Sequence, residues 1–194
     1  VTGHEAAAHG GDVTSLVLVP RVADAVPLPI VAAGGFADGR GLAAALALGA
    51  DGIAMGTRLM STAESPVHER AKRAAVDTDS DGTVYSDRFD GQPCLVMRSP
   101  AALRAIRRGL SLTRAALASR EIARTMGVPH WKLAAGVLAS GWKNTRQLAH
   151  LATAFRAFRL ATEEGDEVRG VLPLGQSTGL VHDVPTVAAV RLPR

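Results

Sequence analysis

Cysteine, aromatic residues and long apolar runs are all scarce in this chain of 194 residues. Its single cysteine, Cys94, excludes an internal disulfide and suits a reducing compartment, so we expect a cytoplasmic protein. Apolar residues make up 47% of the chain, but no run of them approaches the roughly 20 residues that cross a bilayer. The composition therefore predicts a globular domain without a membrane partner.

Charge is unevenly distributed along the chain. Residues 1–97 contain 7 basic and 12 acidic residues, whereas residues 98–194 contain 15 basic and 6 acidic residues. A basic half is compatible with nucleic-acid binding, but these arginines follow amphipathic helical patterns with few aromatic residues between them and no recognised binding motif. We interpret them as solvated helix faces and expect no nucleic-acid partner.

The most informative stretch, residues 27–58, contains two copies of one pattern. In each copy a short apolar run, residues 30–33 and residues 52–55, has the character of a buried strand and ends at glycine. The residues at these two ends are Gly34 and Gly35, then Gly56, Thr57 and Arg58. The β-α-β-α order implies parallel strands, so both turns lie at one edge of a sheet.

Paired glycine turns at the carboxyl ends of parallel strands suit a phosphate group. Glycine lets the backbone approach an anion closely, and the N–H groups of a following helix N-terminus face it. A (β/α)8 barrel builds its phosphate site in this way, usually after strands 7 and 8. The spacing matches neither GxGxxG nor a P-loop. A mononucleotide or sugar phosphate is therefore expected, and the alternative is two glycine turns without a ligand.

The loop HEAAAHGG, residues 4–11, precedes the two glycine turns in the chain and contains a candidate catalytic residue. An imidazole titrates near neutral pH, so His9 is a candidate general base; the alternative is a polar loop histidine without a catalytic role. His4, Glu5 and His9 also suggest a metal site. However, HExxxH is one residue longer than HExxH and separates the two histidines by about 140° on a helix, so no metal is expected.

Residues 77–194 differ in character from residues 1–76. A polar connector is followed by β tendency over residues 83–98, then by amphipathic helices, a loop over residues 172–180 and a short helix near Pro185. Leu103, Ile106 and Leu110 share one helix face, and a long helix is expected from around Thr145 to a stop at Gly165. We expect two domains, residues 1–76 in a barrel portion and residues 77–194 in a mostly helical annex.

The connector contains a partial calcium-binding pattern. Asp77, Asp79, Asp81 and Gly82 match the first half of an EF-hand loop, but the position of the bidentate glutamate is occupied by Arg88. A cation at this position opposes calcium binding. We interpret these residues as a solvated acidic connector.

Three motifs together resemble the FMN-dependent nitronate monooxygenases, formerly called 2-nitropropane dioxygenases, and their flavin enoyl reductase relatives. Residues 3–10 (GHEAAAHG) resemble the family's G-x-E-A-G-G-H-x-G, residues 29–39 (PIVAAGGFADG) its P-[IV]-[IV]-A-A-G-G-[IF]-x-[DT]-G, and residues 50–58 (ADGIAMGTR) its A-D-[GA]-[IV]-x-[ML]-G-T-R. Residues 175–179 (GQSTG) look like its closing GQ-x-x-G segment. Ala7 and Ala8 stand where the family has two glycines.

The resemblance implies an α/β fold that is the C-terminal part of a (β/α)8 TIM barrel, from about the end of strand 6 to strand 8, followed by the annex. His9 matches the family histidine that acts on the substrate. The implied FMN site consists of Gly34, Gly35, Gly56, Thr57 and Gln176. The implied reaction is the oxidation of alkyl nitronates or nitroalkanes with O2 to a carbonyl compound and nitrite.

Two alternatives stay open beside this reaction. One is a flavin-dependent reductase of enoyl thioesters that uses NAD(P)H. The other is an inactive fragment of a longer barrel protein that only binds phosphate-bearing ligands, because two bare parallel strands leave edges unpaired. The two alanines of the first motif bear on the reaction more than on the FMN site, since a glycine at positive φ is strained by a side chain.

Overall fold

The computed structural model describes residues 1–7, 9–109, 112–125, 127–139 and 141–190. Ala8 and Leu110, which the sequence analysis singled out, lie outside these ranges. The elements in chain order are α1 (Ser15–Ala23), β1 (Val31–Ala33), α2 (Gly39–Ala47), β2 (Gly52–Ala54), α3 (Gly56–Met60), α4 (Glu69–Val76), β3 (Thr83–Ser86), β4 (Cys94–Met97), α5 (Pro100–Arg108), α6 (Leu112–Thr125), α7 (His130–Ala139) and α8 (Trp142–Thr162).

Strands β1 and β2 pair in parallel, with Val31 opposite Gly52. The first residues of the chain extend this arrangement on the other side of β1, because Thr2 forms a parallel bridge with Ala33. The first three residues thus form a strand-like segment ahead of the loop that carries His9. Three parallel segments therefore deliver their carboxyl ends to one edge.

A small apolar core joins α1 and α2 to this parallel sheet. Its buried residues are Val19, Ile30, Ala32, Phe36, Ala45 and Ala50. Alternate residues of a strand point to opposite faces, so the neighbour of Ala32, Val31, points away from the helices and is 51% exposed. The alanines in this core let the helices lie close to the strands.

The second half of the chain contains an antiparallel hairpin and a group of helices. Strands β3 and β4 form the hairpin, in agreement with the β tendency of residues 83–98, and Pro173 bridges to Val96 at its edge. Helix α8 covers the expected long helix. No helix of the described ranges is both long and apolar enough to span a membrane.

The short helix expected near Pro185 is present only as a 3-10 helix of three residues, Val187–Ala189. The Pro185 carbonyl accepts a hydrogen bond from the amide of Ala63 (2.9 Å), and the Glu64 carboxylate accepts one from the amide of Val187 (2.9 Å). The Ala63 amide occupies the Pro185 carbonyl that an α-helix would pair with an amide four residues later, and Glu64 caps an amide that a helix start leaves unpaired.

Candidate functional site

The turn after β1 requires glycine at two successive positions. Gly34 has φ +97° and Gly35 has φ +82°, a region that side chains make unfavourable. A Cβ atom on Gly34 would also lie 3.0 Å from the carbonyl oxygen of Gly3. The backbone of the first predicted glycine turn is thus closely packed against residues 1–3.

Glu5 locks the histidine-bearing loop to this turn. Its two carboxylate oxygens accept hydrogen bonds from the amide of Ser15 at 3.1 and 3.0 Å, at the N-terminus of α1. The Ser15 hydroxyl lies 3.1 Å from Glu5 Oε2 and 2.8 Å from the carbonyl oxygen of Gly34. A carboxylate is favoured at a helix N-terminus, so Glu5 holds the loop, α1 and the Gly34 turn together.

The turn after β2 leaves backbone amides open. Met55, which precedes α3, provides no side-chain cap for the helix. A Cβ atom on Gly56 would meet no other atom within 4 Å, so the space beside this residue is free. Thr57 is buried, and its hydroxyl oxygen accepts a hydrogen bond from the amide of Gly175 (3.2 Å). Uncapped amides beside free space form a cradle that suits an anion.

The closing GQ-x-x-G segment joins the Glu5 loop to the turn after β2. The amide of Gln176 donates to the carbonyl oxygen of Glu5 (2.9 Å), and the Ser80 hydroxyl donates to the carbonyl oxygen of Gln176 (2.8 Å). A Cβ atom on Gly175 would lie 2.8 Å from the carbonyl oxygen of Glu5 and 3.3 Å from the Thr57 hydroxyl oxygen. Gly35 and Gln176 therefore lie against Glu5, and Thr57 is linked to this loop through Gly175. The sequence suggested Glu5 only as a metal ligand and gave no expectation that it holds these segments together.

His9 pairs with a residue that sequence reasoning did not find. Its Nε2 atom hydrogen-bonds to Oδ2 of Asp90, in the connection between β3 and β4. The Asp90 side chain is 4% exposed and that of His9 is 45% exposed. The two residues are 81 positions apart in the chain, and no motif surrounds Asp90, so no local pattern indicates the pair.

His9, Asp90 and Cys94 together have the composition of a metal site. Their ligand atoms all lie within 4.8 Å of one another. Burial and the nearby Asp90 raise the pKa of the Cys94 thiol to about 12, which disfavours the thiolate that a metal requires. In addition, His9 and Asp90 touch directly, whereas ligand atoms around one zinc ion lie roughly 3.3 Å apart. We interpret the group as a hydrogen-bonded pair beside a packed thiol.

The residues of the HExxxH pattern have separate partners. The His4 ring lies against the Tyr85 ring at a centroid distance of 4.5 Å, whereas Glu5 binds Ser15 and His9 binds Asp90. The Tyr85 hydroxyl donates to Asp12 Oδ1 at 2.8 Å, and burial together with this carboxylate raises the pKa of Tyr85. The structure thus divides the three residues of the pattern among three interactions.

The acidic connector forms local hydrogen bonds. Asp79 accepts a hydrogen bond from the amide of Ser80 (2.6 Å) at the start of the 3-10 turn Ser80–Gly82. Gly179 of the closing segment packs against this turn, since a Cβ atom there would lie 2.3 Å from the Ser80 hydroxyl oxygen. The connector therefore supports the closing segment.

Comparison with known proteins agrees with this arrangement. The chain is 37% identical over 191 residues to a Rhodococcus jostii (3aS,4S,5R,7aS)-5-hydroxy-7a-methyl-1-oxo-octahydro-1H-indene-4-carboxyl-CoA dehydrogenase, covering 96% of this chain and 54% of that protein. The structure of FabK from Thermotoga maritima matches with a TM-score of 0.71 and 33% identity, covering 98% of this chain and 50% of that one. A nitroalkane oxidase from Streptomyces ansochromogenes matches with a TM-score of 0.63 and 25% identity, covering 95% and 47%.

The chain thus spans about half the length of these relatives. A family model described as nitronate monooxygenase matches residues 1–190, which include the loop of His9, both glycine turns and the closing segment. The chain belongs to the nitronate monooxygenase family.

Proposed function

We propose that this chain is the FMN-binding portion of a flavin-dependent oxidoreductase that oxidises alkyl nitronates or nitroalkanes with O2 to a carbonyl compound and nitrite. The observation that carries the proposal is the convergence of four segments: both glycine turns, the Glu5 loop and the closing Gly175–Gln176 pair. His9 stands on the same loop as Glu5.

The donors at the site fit a phosphate monoester such as that of FMN. The uncapped start of α3 at Gly56 supplies backbone N–H groups, and the Thr57 hydroxyl keeps its proton to donate because it already accepts from Gly175. The Gly34–Gly35 turn follows β1, the neighbour of β2, and its backbone carries no side chains that would keep a phosphate away. FMN bound here supplies the electron acceptor for the oxidation.

We further propose that the parallel strands belong to a (β/α)8 TIM barrel, with residues 1–76 in its C-terminal portion. Three parallel segments with helices on one face support this assignment. The open face marked by Val31 supports it as well, because the strands of a barrel turn one face toward the lumen. Residues 77–194 then form the annex that presents Asp90 to His9.

In this reaction His9 acts as the general base. A neutral nitroalkane must lose the proton on the carbon next to the nitro group, and His9 accepts it. A nitronate has already lost this proton and needs no base. The 45% exposed side chain of His9 gives a substrate access to the ring, while its bond to Asp90 fixes the ring's orientation.

The substitution His9→Ala tests this role. A positioned base contributes about 100-fold or more, so we expect about a 100-fold loss of nitrite formation from a neutral nitroalkane and less than about a 10-fold loss from its nitronate. FMN retention should stay unchanged. The exposed His182 provides the matched control, His182→Ala, which should alter neither rate. Equal losses on both substrates would argue against a base.

A second candidate function is the flavin-dependent reduction or dehydrogenation of a thioester substrate with a nicotinamide cofactor. It is favoured by the similarity to a protein named as a carboxyl-CoA dehydrogenase over 96% of this chain. The two functions differ in a direct assay. Rapid bleaching of bound FMN by NADH or NADPH supports this candidate, and nitronate-dependent O2 uptake without nicotinamide supports the first.

A further inference from the structure

The His9 ring is held at one edge only. Its Nε2 atom contacts the buried carboxylate of Asp90, while the side chain as a whole is 45% exposed. Within the described ranges, Nδ1 of His9 has no hydrogen-bond partner. One ring nitrogen is therefore occupied by the protein, and the other is available to a ligand.

Both oxygens of the Asp90 carboxylate have a donor. Oδ2 faces His9, and Oδ1 accepts a hydrogen bond from the amide of Gln92 at 3.0 Å. The adjacent Phe89 and the nearby Cys94 belong to a buried hydrophobic cluster, and His150 lies within electrostatic range of the carboxylate. An ionised carboxylate only accepts hydrogen bonds, so the ring must donate through Nε2–H.

We propose that Asp90 is a positioning residue that holds neutral His9 in the tautomer with its proton on Nε2, so that Nδ1 is the nitrogen that takes the substrate proton. The use of Nδ1 rests on the proposed function, in which His9 is the base. The tautomer itself rests only on the contacts of Asp90. A base needs a free lone pair on the side of the substrate, and this hydrogen bond provides it.

The substitution Asp90→Asn tests the tautomer because the backbone fixes how the new amide is oriented. The amide N–H of Gln92 requires an acceptor at Oδ1, so the amide oxygen occupies that position and the NH2 group faces His9. Nε2 must then accept a hydrogen bond, and the proton moves to Nδ1. The substitution thereby blocks the nitrogen assigned to the substrate while nearly preserving side-chain shape.

The readout is the tautomer of His9 in long-range ¹H–¹⁵N spectra of the labelled chain at pH 8, where imidazoles are mostly neutral. The His9 signals are identified by their loss in His9→Ala. We expect protonated Nε2 in the unmodified chain and protonated Nδ1 in Asp90→Asn. The control is Asp87→Asn, an exposed carboxylate in the same connection, which should leave the tautomer unchanged. An unchanged tautomer in Asp90→Asn overturns the proposal.

A second measurement needs no folded variant. The unmodified chain should show an Nε2–H ring proton of His9 that is protected from exchange with water, and the lack of such a proton also overturns the proposal.

Activity then separates this proposal from the proposed function. If the proton of His9 moves to Nδ1 in Asp90→Asn, we expect this variant to have about a 100-fold lower kcat on a neutral nitroalkane and little change in KM. The effect on the nitronate should be much smaller. A switch combined with no nitronate-dependent activity in the whole oxidoreductase supports the positioning role and contradicts the proposed function. Full nitroalkane activity despite a switch contradicts the assignment of Nδ1 as the base.

Discussion

Gly35 has a conformation that explains why the first turn of the site must be glycine. At φ +82° a Cβ atom is unfavourable, whereas the space around it would permit one, because its nearest neighbour, Cβ of Glu5, is 3.6 Å away. The constraint therefore comes from the backbone and not from crowding.

We expect Gly35→Ala to lower the free energy of unfolding by about 1–2 kcal/mol and to weaken FMN binding by shifting the turn. Gly52→Ala is the matched control, since a Cβ atom there meets nothing within 4 Å and its φ is not positive. Denaturant unfolding and FMN titration of both variants check this. Equal unfolding free energies for the two variants would show that the turn is unstrained.

Cys94 is a probe of the core beside the His9–Asp90 pair. Burial and the nearby Asp90 raise the pKa of the Cys94 thiol to about 12. Between the ordinary pKa of a thiol and this value, the thiol is protonated in the folded chain and ionised in the unfolded chain. Its contribution to stability is complete below the ordinary thiol range and is lost as the pH rises toward 12.

We therefore expect iodoacetamide at pH 8.5 to alkylate the native chain at least about 100-fold more slowly than the denatured chain. The assignment is unambiguous because the chain contains one cysteine. Mass spectrometry over time measures the rates. Comparable rates in both states would mean that the hairpin core opens readily.

At the scale of elements, α2 shows a helix start that the sequence predicts well. Asp38 caps it, with Oδ1 accepting from the amides of Arg40 (2.9 Å) and Gly41 (3.2 Å). The helix runs from Gly39 to Ala47, and both the aspartate cap before it and Gly49 after it are local signals that the sequence shows.

The substitution Asp38→Ala should lower the free energy of unfolding by about 1 kcal/mol, through the loss of this cap. The guanidinium of Arg40 and the two amides lower the pKa of Asp38. The charge-dependent part of the cap is thus present above the unfolded pKa of an aspartate and lost as the pH falls through the lowered folded value. Arg40→Ala, which removes a highly exposed partner of the cap, should lower the free energy of unfolding clearly less than Asp38→Ala does. Thermal unfolding at pH 7 and pH 3 compares both variants with the unmodified chain.

Other elements depend on contacts that no local pattern reveals. The turn at Val187–Ala189 is held by Ala63 and Glu64, more than 100 residues earlier, and the Asp90 carboxylate meets His9 across 81 residues. Periodicity and glycine spacing report on neighbours within one or two turns, so they predict both glycine turns but not these partners. The antiparallel hairpin is predictable in part. The sequence indicates that residues 83–98 have β character, but it does not indicate which residues pair.

At the scale of the whole molecule, the C-terminal segment ties the helical half to the parallel sheet. Arg58, which is buried, donates to Asp183 Oδ1 (2.7 Å) and to the Asp183 carbonyl oxygen (2.8 Å). Gly175 and Gln176 bind Thr57 and Glu5 in the same region. The cradle is therefore built by segments from both ends of the chain. Local patterns could not indicate that they meet, whereas the family resemblance did, because it implied one site containing both Gly34 and Gln176.

The central claim is that these segments form a site for the phosphate of FMN. The most direct test is a fluorescence titration of the purified chain with FMN and, in parallel, with riboflavin, which has the same ring system without the phosphate. We expect FMN to bind at least about 10-fold more tightly than riboflavin and to remain with the protein on desalting, since backbone amides and the Thr57 hydroxyl bind the phosphate. Equal affinity for the two flavins, or no binding of FMN, would contradict the account.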